Sequence, residues 1–325
     1  MKILIIKLGA LGDVINTFPL VVNLKRHLAC EIHWLVAPLS YSLVADHQSV
    51  DKSILFDKKQ GLQGVLNTRE QIRETTYDLV LDLQRILKSG FFTLAAKGIR
   101  KIGFDKDRCK EMSWIFPFER ICPSDAHKHM LDQYMDFAGH LYVDKEPIKW
   151  HIPRYRALDK IVRTLPKQYL VLNIGASKRA NLWPPDYFAQ LSRHVQDQFA
   201  LPCVLTGGPE DQKAGKSIQE KGAVTILNLT GKTAIHELVE VLAHAEIIVT
   251  CDTGPMHLAS ALGSRVIALF GPSNPERTGP YKGIVIQKNM ECSPCNKKIC
   301  DQPRCMESIT PEDVMIHLRV ELKKV

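Results

Sequence analysis

Short apolar runs alternate with longer segments whose apolar positions recur at helical spacing, and the alternation passes twice through the chain. In the first series, residues 2–7, 31–36, 79–83 and 101–104 read as strands, and 11–26, 62–74 and 129–141 as helices. The second series places strands at 169–174, 202–206, 246–250 and 265–270, and helices at 184–199, 211–221, 235–243 and 256–262. A closing helix is predicted over 310–322, where Thr310 suits the N-cap, Pro311 the first helical position and Glu312-Asp313 the first turn. Continuous apolar strands between amphipathic helices imply parallel sheets with helices on both faces. Between the two series, about residues 143–166 are polar, proline-bearing and weakly periodic, as a linker would be. The expectation is an α/β protein of two doubly wound, Rossmann-like domains, 1–155 and 156–325, facing a cleft. The last helix is expected to pack back on the N-terminal domain.

Length changes little in this picture, since 325 residues suit two domains better than one. The net charge of +8 comes from scattered lysines and arginines rather than runs, so an anionic substrate or membrane headgroups fit as well as nucleic acid. No apolar stretch is long enough to span a bilayer. The first residues imitate a signal peptide, but Lys7 and Asp13 interrupt them and no small-residue cleavage site follows. A buried first strand and a cytoplasmic protein are expected. Of nine cysteines, Cys292, Cys295, Cys300 and Cys305 are bunched with spacing C-x2-C-x4-C-x4-C. In a cytosolic protein such a set suits a structural zinc or iron better than disulfides, with free thiols as the alternative. The segment is too short for a separate zinc-finger module, so no nucleic-acid partner is expected.

Ligands of doubly wound folds bind beyond the carboxyl ends of the strands. That rule selects the loops at 8–13, 82–89, 175–183, 207–210, 252–257 and 271–279. The most pointed is Asp252-Thr253-Gly254-Pro255-Met256-His257. A strand ends, Gly254 turns the chain, and Pro255 sits where a first helical residue needs no N–H partner. The turn aims a helix N-terminus, which suits a phosphate, and Asp252, Thr253 and His257 add side-chain donors and acceptors. At 207–210, glycines allow close approach and Glu210 suits substrate hydroxyls, unless the segment is a plain tight turn. Three readings compete for Asp13, which follows Gly9 and Gly12: a helix-dipole partner, part of a dinucleotide fingerprint, or a general base. The G-x-x-G spacing argues against the fingerprint and against a nicotinamide-dependent oxidoreductase.

Taken in order, these segments resemble glycosyltransferase family 9, the ADP-heptose:lipopolysaccharide heptosyltransferases. The resemblance is carried by Ile5-x-Lys7-x-Gly9-Ala10-Leu11-Gly12-Asp13-Val14, by Asp82-Leu83-Gln84 with Lys88-Ser89, and by Gly175-Ala176-Ser177 leading to Trp183-Pro184. It continues through Leu229-Thr230-Gly231-Lys232-Thr233, the 252–259 turn, Leu269-Phe270-Gly271-Pro272 and the cysteine-bearing tail ending Thr310-Pro311-Glu312-Asp313. The resemblance implies a GT-B fold, with the acceptor on the N-terminal domain and the nucleotide-sugar on the C-terminal one. It implies an inverting transfer of heptose from ADP-heptose to an anionic lipopolysaccharide core acceptor, with no catalytic metal, at the inner face of the cytoplasmic membrane. Asp13 matches the family's base; Asp252, Thr253, Gly254, His257 and Ser177 match its donor-phosphate contacts. Family members usually carry a lysine two residues before the Trp-Pro pair, where this chain has Asn181, leaving Lys178 or Arg179 as substitutes. Lys88 matches an acceptor contact, and Gly12, Arg85, Arg108, Lys128 and His129 are further acceptor candidates. The alternatives are another nucleotide-sugar donor, because the 252–257 turn reads phosphates rather than the sugar, and a binding protein impaired by Asn181.

Overall fold

The computed structural model describes residues 1–155 and 159–323. Its contacts divide the chain into two units, Met1–Pro153 and Arg154–Val325. The first contains β1 (Lys2–Ile6), β2 (Glu31–Val36), β3 (Lys52–Leu55), β4 (Thr76–Asp82), β5 (Lys97–Gly103) and β6 (Glu119–Arg120). Its helices are α1 (Leu11–His27), α2 (Tyr41–Ala45), α3 (Gly61–Arg73), α4 (Leu87–Ala95) and α5 (Met130–His140). The second unit has β7 (Leu170–Asn173), β8 (Cys203–Thr206), β9 (Ile226–Asn228), β10 (Ile247–Cys251), β11 (Val266–Phe270) and β12 (Ile284–Gln287). Its helices are α6 (Asp159–Val162), α7 (Pro185–Phe199), α8 (Gln212–Lys221), α9 (Ile235–Ala243), α10 (Gly254–Leu262), α11 (Pro275–Thr278), α12 (Arg304–Glu307) and α13 (Pro311–Leu322).

Ile3 to Ile6 of β1 are wholly buried, as a strand covered on both faces requires. β1 lies between β2 and β4 in a parallel sheet ordered β3-β2-β1-β4-β5-β6. The second sheet is also parallel and reads β12-β11-β10-β7-β8-β9. Numbered from its own first strand, each sheet therefore has the same 3-2-1-4-5-6 order. In such a sheet the winding direction reverses between strands one and four, which opens a crevice at their carboxyl ends. The crevices fall between β1 and β4 in one unit and between β7 and β10 in the other.

Several polar groups fix the strand ends. Trp34 of β2 is fully buried and donates its indole N–H to the Lys7 carbonyl at 3.0 Å. In the second unit, Asn173 stands in register with Thr206 of β8 and Thr250 of β10. Its amide donates to Thr250 Oγ1 at 3.0 Å, and its carbonyl accepts from Thr206 Oγ1 at 3.2 Å. One buried side chain thus joins three neighbouring strands immediately before the site loops.

The closing helix begins as the sequence implies: Thr310 Oγ1 accepts from the Asp313 N–H at 3.3 Å, and Asp313 Oδ2 accepts from the Thr310 N–H at 2.8 Å. Its apolar stripe, Val314, Met315 and Leu318, is buried in the core of the second unit, and α13 packs on α7. The expected linker is described in part; it holds the short α6, and residues 156–158, where the boundary was drawn, lie outside the described residues.

Asn173→Ala should leave the Thr206 and Thr250 hydroxyls each short of a buried partner and lower stability by roughly 2–3 kcal/mol. Urea unfolding measures this directly. A loss below about 1 kcal/mol would mean that the three strands do not depend on the amide.

Candidate active site

The crevice of the first unit is organised by Lys7, one residue beyond β1 and only 1% exposed. Its ammonium donates to Asp13 Oδ2 at 3.2 Å and to the Leu83 carbonyl at 3.4 Å, and lies 5.1 Å from the centre of the Tyr134 ring. Burial lowers the Lys7 pKa to about 8, with the Asp13 charge pulling the other way. Asp13 occupies the first turn of α1. Burial works to raise its pKa, but Lys7, then Arg85 and Lys110, outweigh that, and the carboxyl titrates below its ordinary value. The side chain keeps 34% of its surface open, so an ionised carboxylate is fixed from behind and reachable from in front.

The Asp82-Leu83-Gln84 segment is the clamp across this crevice. Gln84 Oε1 accepts from the N–H groups of Leu8 and Gly9 at 3.0 and 3.3 Å, tying the 8–13 turn to the end of β4. Asp82 Oδ1 accepts from the N–H groups of Gln84 and Arg85 at 3.0 and 3.3 Å. Arg85 then turns with φ 68° and lies buried, stacked 4.9 Å from the Phe104 ring centre.

The acceptor candidates separate. Gly12 is buried in the first turn of α1, beside Asp13. Lys88 is exposed in the first turn of α4, its ammonium 5.5 Å from the Phe56 ring centre. Arg108 does not fit an acceptor role: it is buried, paired with Asp105 and with Asp136 at 2.7 Å, and donates to the Cys122 carbonyl at 3.0 Å. A buried guanidinium needs such partners, and these occupy it. Lys128 is paired with Asp136 at 2.7 Å, and His129 caps α5, its Nδ1 accepting from the Leu131 N–H at 3.2 Å.

In the second unit, Thr253 is the N-cap of α10, Pro255 lies in the first turn, and the Thr253 side chain makes no cap hydrogen bond. Thr253 and His257 are buried, Asp252 and Gly254 half-buried. Asn181 is buried beside them and donates to Asp252 Oδ2 at 3.1 Å and to Ser273 Oγ at 3.2 Å. It is a neutral strut between two site loops. Of the two cationic substitutes, Lys178 is half-buried just before Asn181, whereas Arg179 lines a separate cavity of about 490 Å³ with Trp183, Ile299 and Cys300. Ser177 is exposed on the turn after β7. Glu210 is exposed as well, and its neighbour Asp211 shapes the site instead: Asp211 Oδ2 accepts from the Gly208 N–H at 2.8 Å. A Cβ on Gly175 would lie 2.2 Å from that same oxygen, so only glycine fits there.

The four cysteines differ in exposure. Cys292 and Cys295 are exposed, Cys300 half-buried, and Cys305 buried against Gly271. Among the described residues no group of three or more His, Cys, Asp or Glu is arranged to hold an ion. Cys305 sits with Met306 in the core, and burial, with the nearby Cys292 and Cys295 thiols adding to it, raises its pKa. The segment between them acts as a strap, since the Asn296 N–H donates to the Pro272 carbonyl at 2.7 Å and Lys298 O accepts from the Ala180 N–H at 3.1 Å. It holds the segments that carry Asn181 and Ser273.

Comparison with known proteins places this geometry. The model of glycosyltransferase family 9 (heptosyltransferase) matches residues 65–305. The chain belongs to glycosyltransferase family 9. The lipopolysaccharide core heptosyltransferase OpsX of Haemophilus influenzae is 27% identical to this family 9 chain over 289 residues, 86% of the chain and 82% of OpsX. Lipopolysaccharide heptosyltransferase 1 of Pseudomonas aeruginosa is 25% identical, over 99% of this chain and 98% of its own length. The structure of the E. coli ADP-heptose lipopolysaccharide heptosyltransferase II matches with a TM-score of 0.81 and 23% identity, covering 100% of this chain and 99% of that one. The two parallel six-stranded sheets are thus those of a GT-B glycosyltransferase, as expected. The matched span takes in Asn181 and the 252–257 turn but begins after Asp13, whose part in the site rests on the Lys7 geometry.

The Lys7 ammonium should titrate near pH 8 by nitrogen NMR, and Asp13→Asn should move the midpoint lower, because the carboxylate raises it. An unfolded lysine holds its proton to about 10.4, so between these values the unfolded chain binds more protons and stability rises with pH. Lys7→Met should lose that rise. An unchanged Lys7 midpoint in Asp13→Asn would refute the pairing.

Proposed function

We propose that the protein transfers a heptose from ADP-heptose to an anionic lipopolysaccharide inner-core acceptor, with inversion and without a catalytic metal. The observation that carries this reading is the half-open Asp13 carboxylate, held ionised by buried Lys7 at a topological switch point. The names of the relatives, lipopolysaccharide heptosyltransferases that match along most of the chain, supply the substrate class. On this reading the first unit takes the acceptor, with Lys88 beside its anionic groups. The second takes the donor diphosphate at Thr253, Gly254 and His257, with Ser177, Lys178 and Glu210 at its edge.

The acceptor hydroxyl attacks the anomeric carbon and gives its proton to Asp13 as the new bond forms. The bond from that carbon to the β-phosphate oxygen breaks, and ADP leaves with the electron pair. Lys7 makes Asp13 a weaker base than a free aspartate, yet keeps it deprotonated at neutral pH. A weak base suffices because the hydroxyl becomes acidic only as it bonds to carbon; such help is worth about 10²–10⁴-fold. Charge on the departing phosphate meets the first turn of α10, and one preorganised donor of this kind contributes roughly 3 kcal/mol. Asn181 lends no charge; its amide holds Asp252 and Ser273, so it positions the loop. That neutrality favours a second reading, a sugar-nucleotide-binding protein with little transfer activity. No helix among the described residues is long and apolar enough to cross a membrane, and a peripheral place at the inner membrane face fits a lipid-borne acceptor.

Calorimetry with ADP, UDP and NAD in parallel should give tightest binding of ADP; a preference for UDP would keep the fold and change the donor. Asp13→Ala should bind ADP as the wild type does while turnover with ADP-heptose falls about 10²–10⁴-fold. A variant that kept most of its turnover would remove Asp13 as the base.

A further inference from the structure

The 82–85 turn runs into α4, and α4 carries an exposed apolar surface. Phe91, 63% exposed, and Leu94 on α4 stand with Val65 and Arg69 on α3 along a groove of about 700 Å³. The apolar surface continues onto Leu62 and Leu66 of α3 and onto Met112, Trp114 and Ile115, all exposed. The 111–116 segment is fixed to α4, because Glu111 Oε2 accepts from the Leu87 N–H at 3.3 Å and the Phe91 and Phe116 rings meet edge to face at 5.3 Å. Contiguous exposed apolar surface of this kind marks a docking face rather than ordinary protein surface.

Its rim is basic. Arg69 and Lys88 line the groove, Lys106 places its ammonium 4.8 Å from the Trp114 ring centre, and Lys58 and Lys59 lie in the turn before α3. Glu111 is the acidic side chain in the groove, and the Leu87 N–H occupies one of its oxygens. Apolar anchors ringed by cations, with an indole among them, match the boundary of an anionic bilayer. A second copy docked by two-fold symmetry would set the same cations against each other.

We propose that this face of the first unit docks on an anionic lipid bilayer, an acyl chain entering the groove between α3 and α4 while lipid phosphates meet Arg69 and Lys106. The proposal rests on the glycosyl-transfer reading in one respect, that an acceptor carried on lipid must be met at a membrane.

Of the four tryptophans, Trp34, Trp150 and Trp183 are buried and Trp114 is exposed, so Trp114 emission reports on this face. Vesicles of phosphatidylglycerol and phosphatidylcholine in equal parts should shift the emission to the blue, and brominated acyl chains should quench it. Phe91→Glu with Leu94→Glu should weaken vesicle binding by roughly tenfold or more while ADP affinity stays unchanged. The proposal is overturned by no shift on vesicles, by a shift with inorganic phosphate alone, or by a shift that the double variant retains. A lipid-free shift that grows with protein concentration would assign the face to a second copy. Transfer to a delipidated core acceptor separates the two ideas: transfer without vesicle binding removes the docking face and leaves the reaction, and the reverse outcome removes the reaction and leaves the face.

Discussion

A lysine ammonium held out of water is the constraint around which the first unit is built. Taking such an ion from solvent costs several kcal/mol unless its protons find partners. Lys7 finds them in Asp13, the Leu83 carbonyl and the Tyr134 ring, and those groups come from α1, the end of β4 and α5. They converge because β1 and β4 are neighbours, although α1 to α3 separate them in the chain. The strand order therefore sets the charge state of the carboxylate. Gln84 and Trp34 complete the arrangement by gripping the two ends of the Lys7–Leu8 peptide, its N–H and its carbonyl.

The second unit repeats the topology and solves its site differently. There a neutral amide, that of Asn181, joins Asp252 to Ser273. Order there comes from hydrogen bonds in layers: the Asn173 ladder beneath the loops, Asn181 between them, and the cysteine-bearing strap outside them.

Much of the fold was legible because central strands of parallel sheets are buried on both faces and so appear as unbroken apolar runs, as in β1, β2, β8, β10 and β11. The strands that were missed, β3, β6, β9 and β12, lie at the sheet edges and none is buried along its length, so no such run marks them. The missed α4 has Gly90 in its interior and no conventional capping residue at Ile86. In the site, motif residues were legible where turn chemistry fixes them, as at 252–257, and illegible where the partner is distant in sequence. Arg108 looked available because Asp136 is far along the chain, and Lys7 looked like the end of a strand because nothing local announces Tyr134. Glu210 and Asp211 are adjacent carboxylates, and the Gly208 N–H and the approach of Gly175, both at Asp211, decide between them. The cysteine spacing suggests ligands for an ion, and spacing does not tell that Cys305 is buried beside Met306 while Cys292 and Cys295 are exposed.

Asn181 has a consequence for how this molecule responds to its ionic surroundings. A site that grips an anion with formal cations loses affinity as salt rises, because counterions return to the separated charges. An amide strut and the first turn of a helix hold no such counterions. Whatever anion the 252–257 turn accepts, its binding should be less sensitive to ionic strength than at a turn bearing a lysine in the place of Asn181.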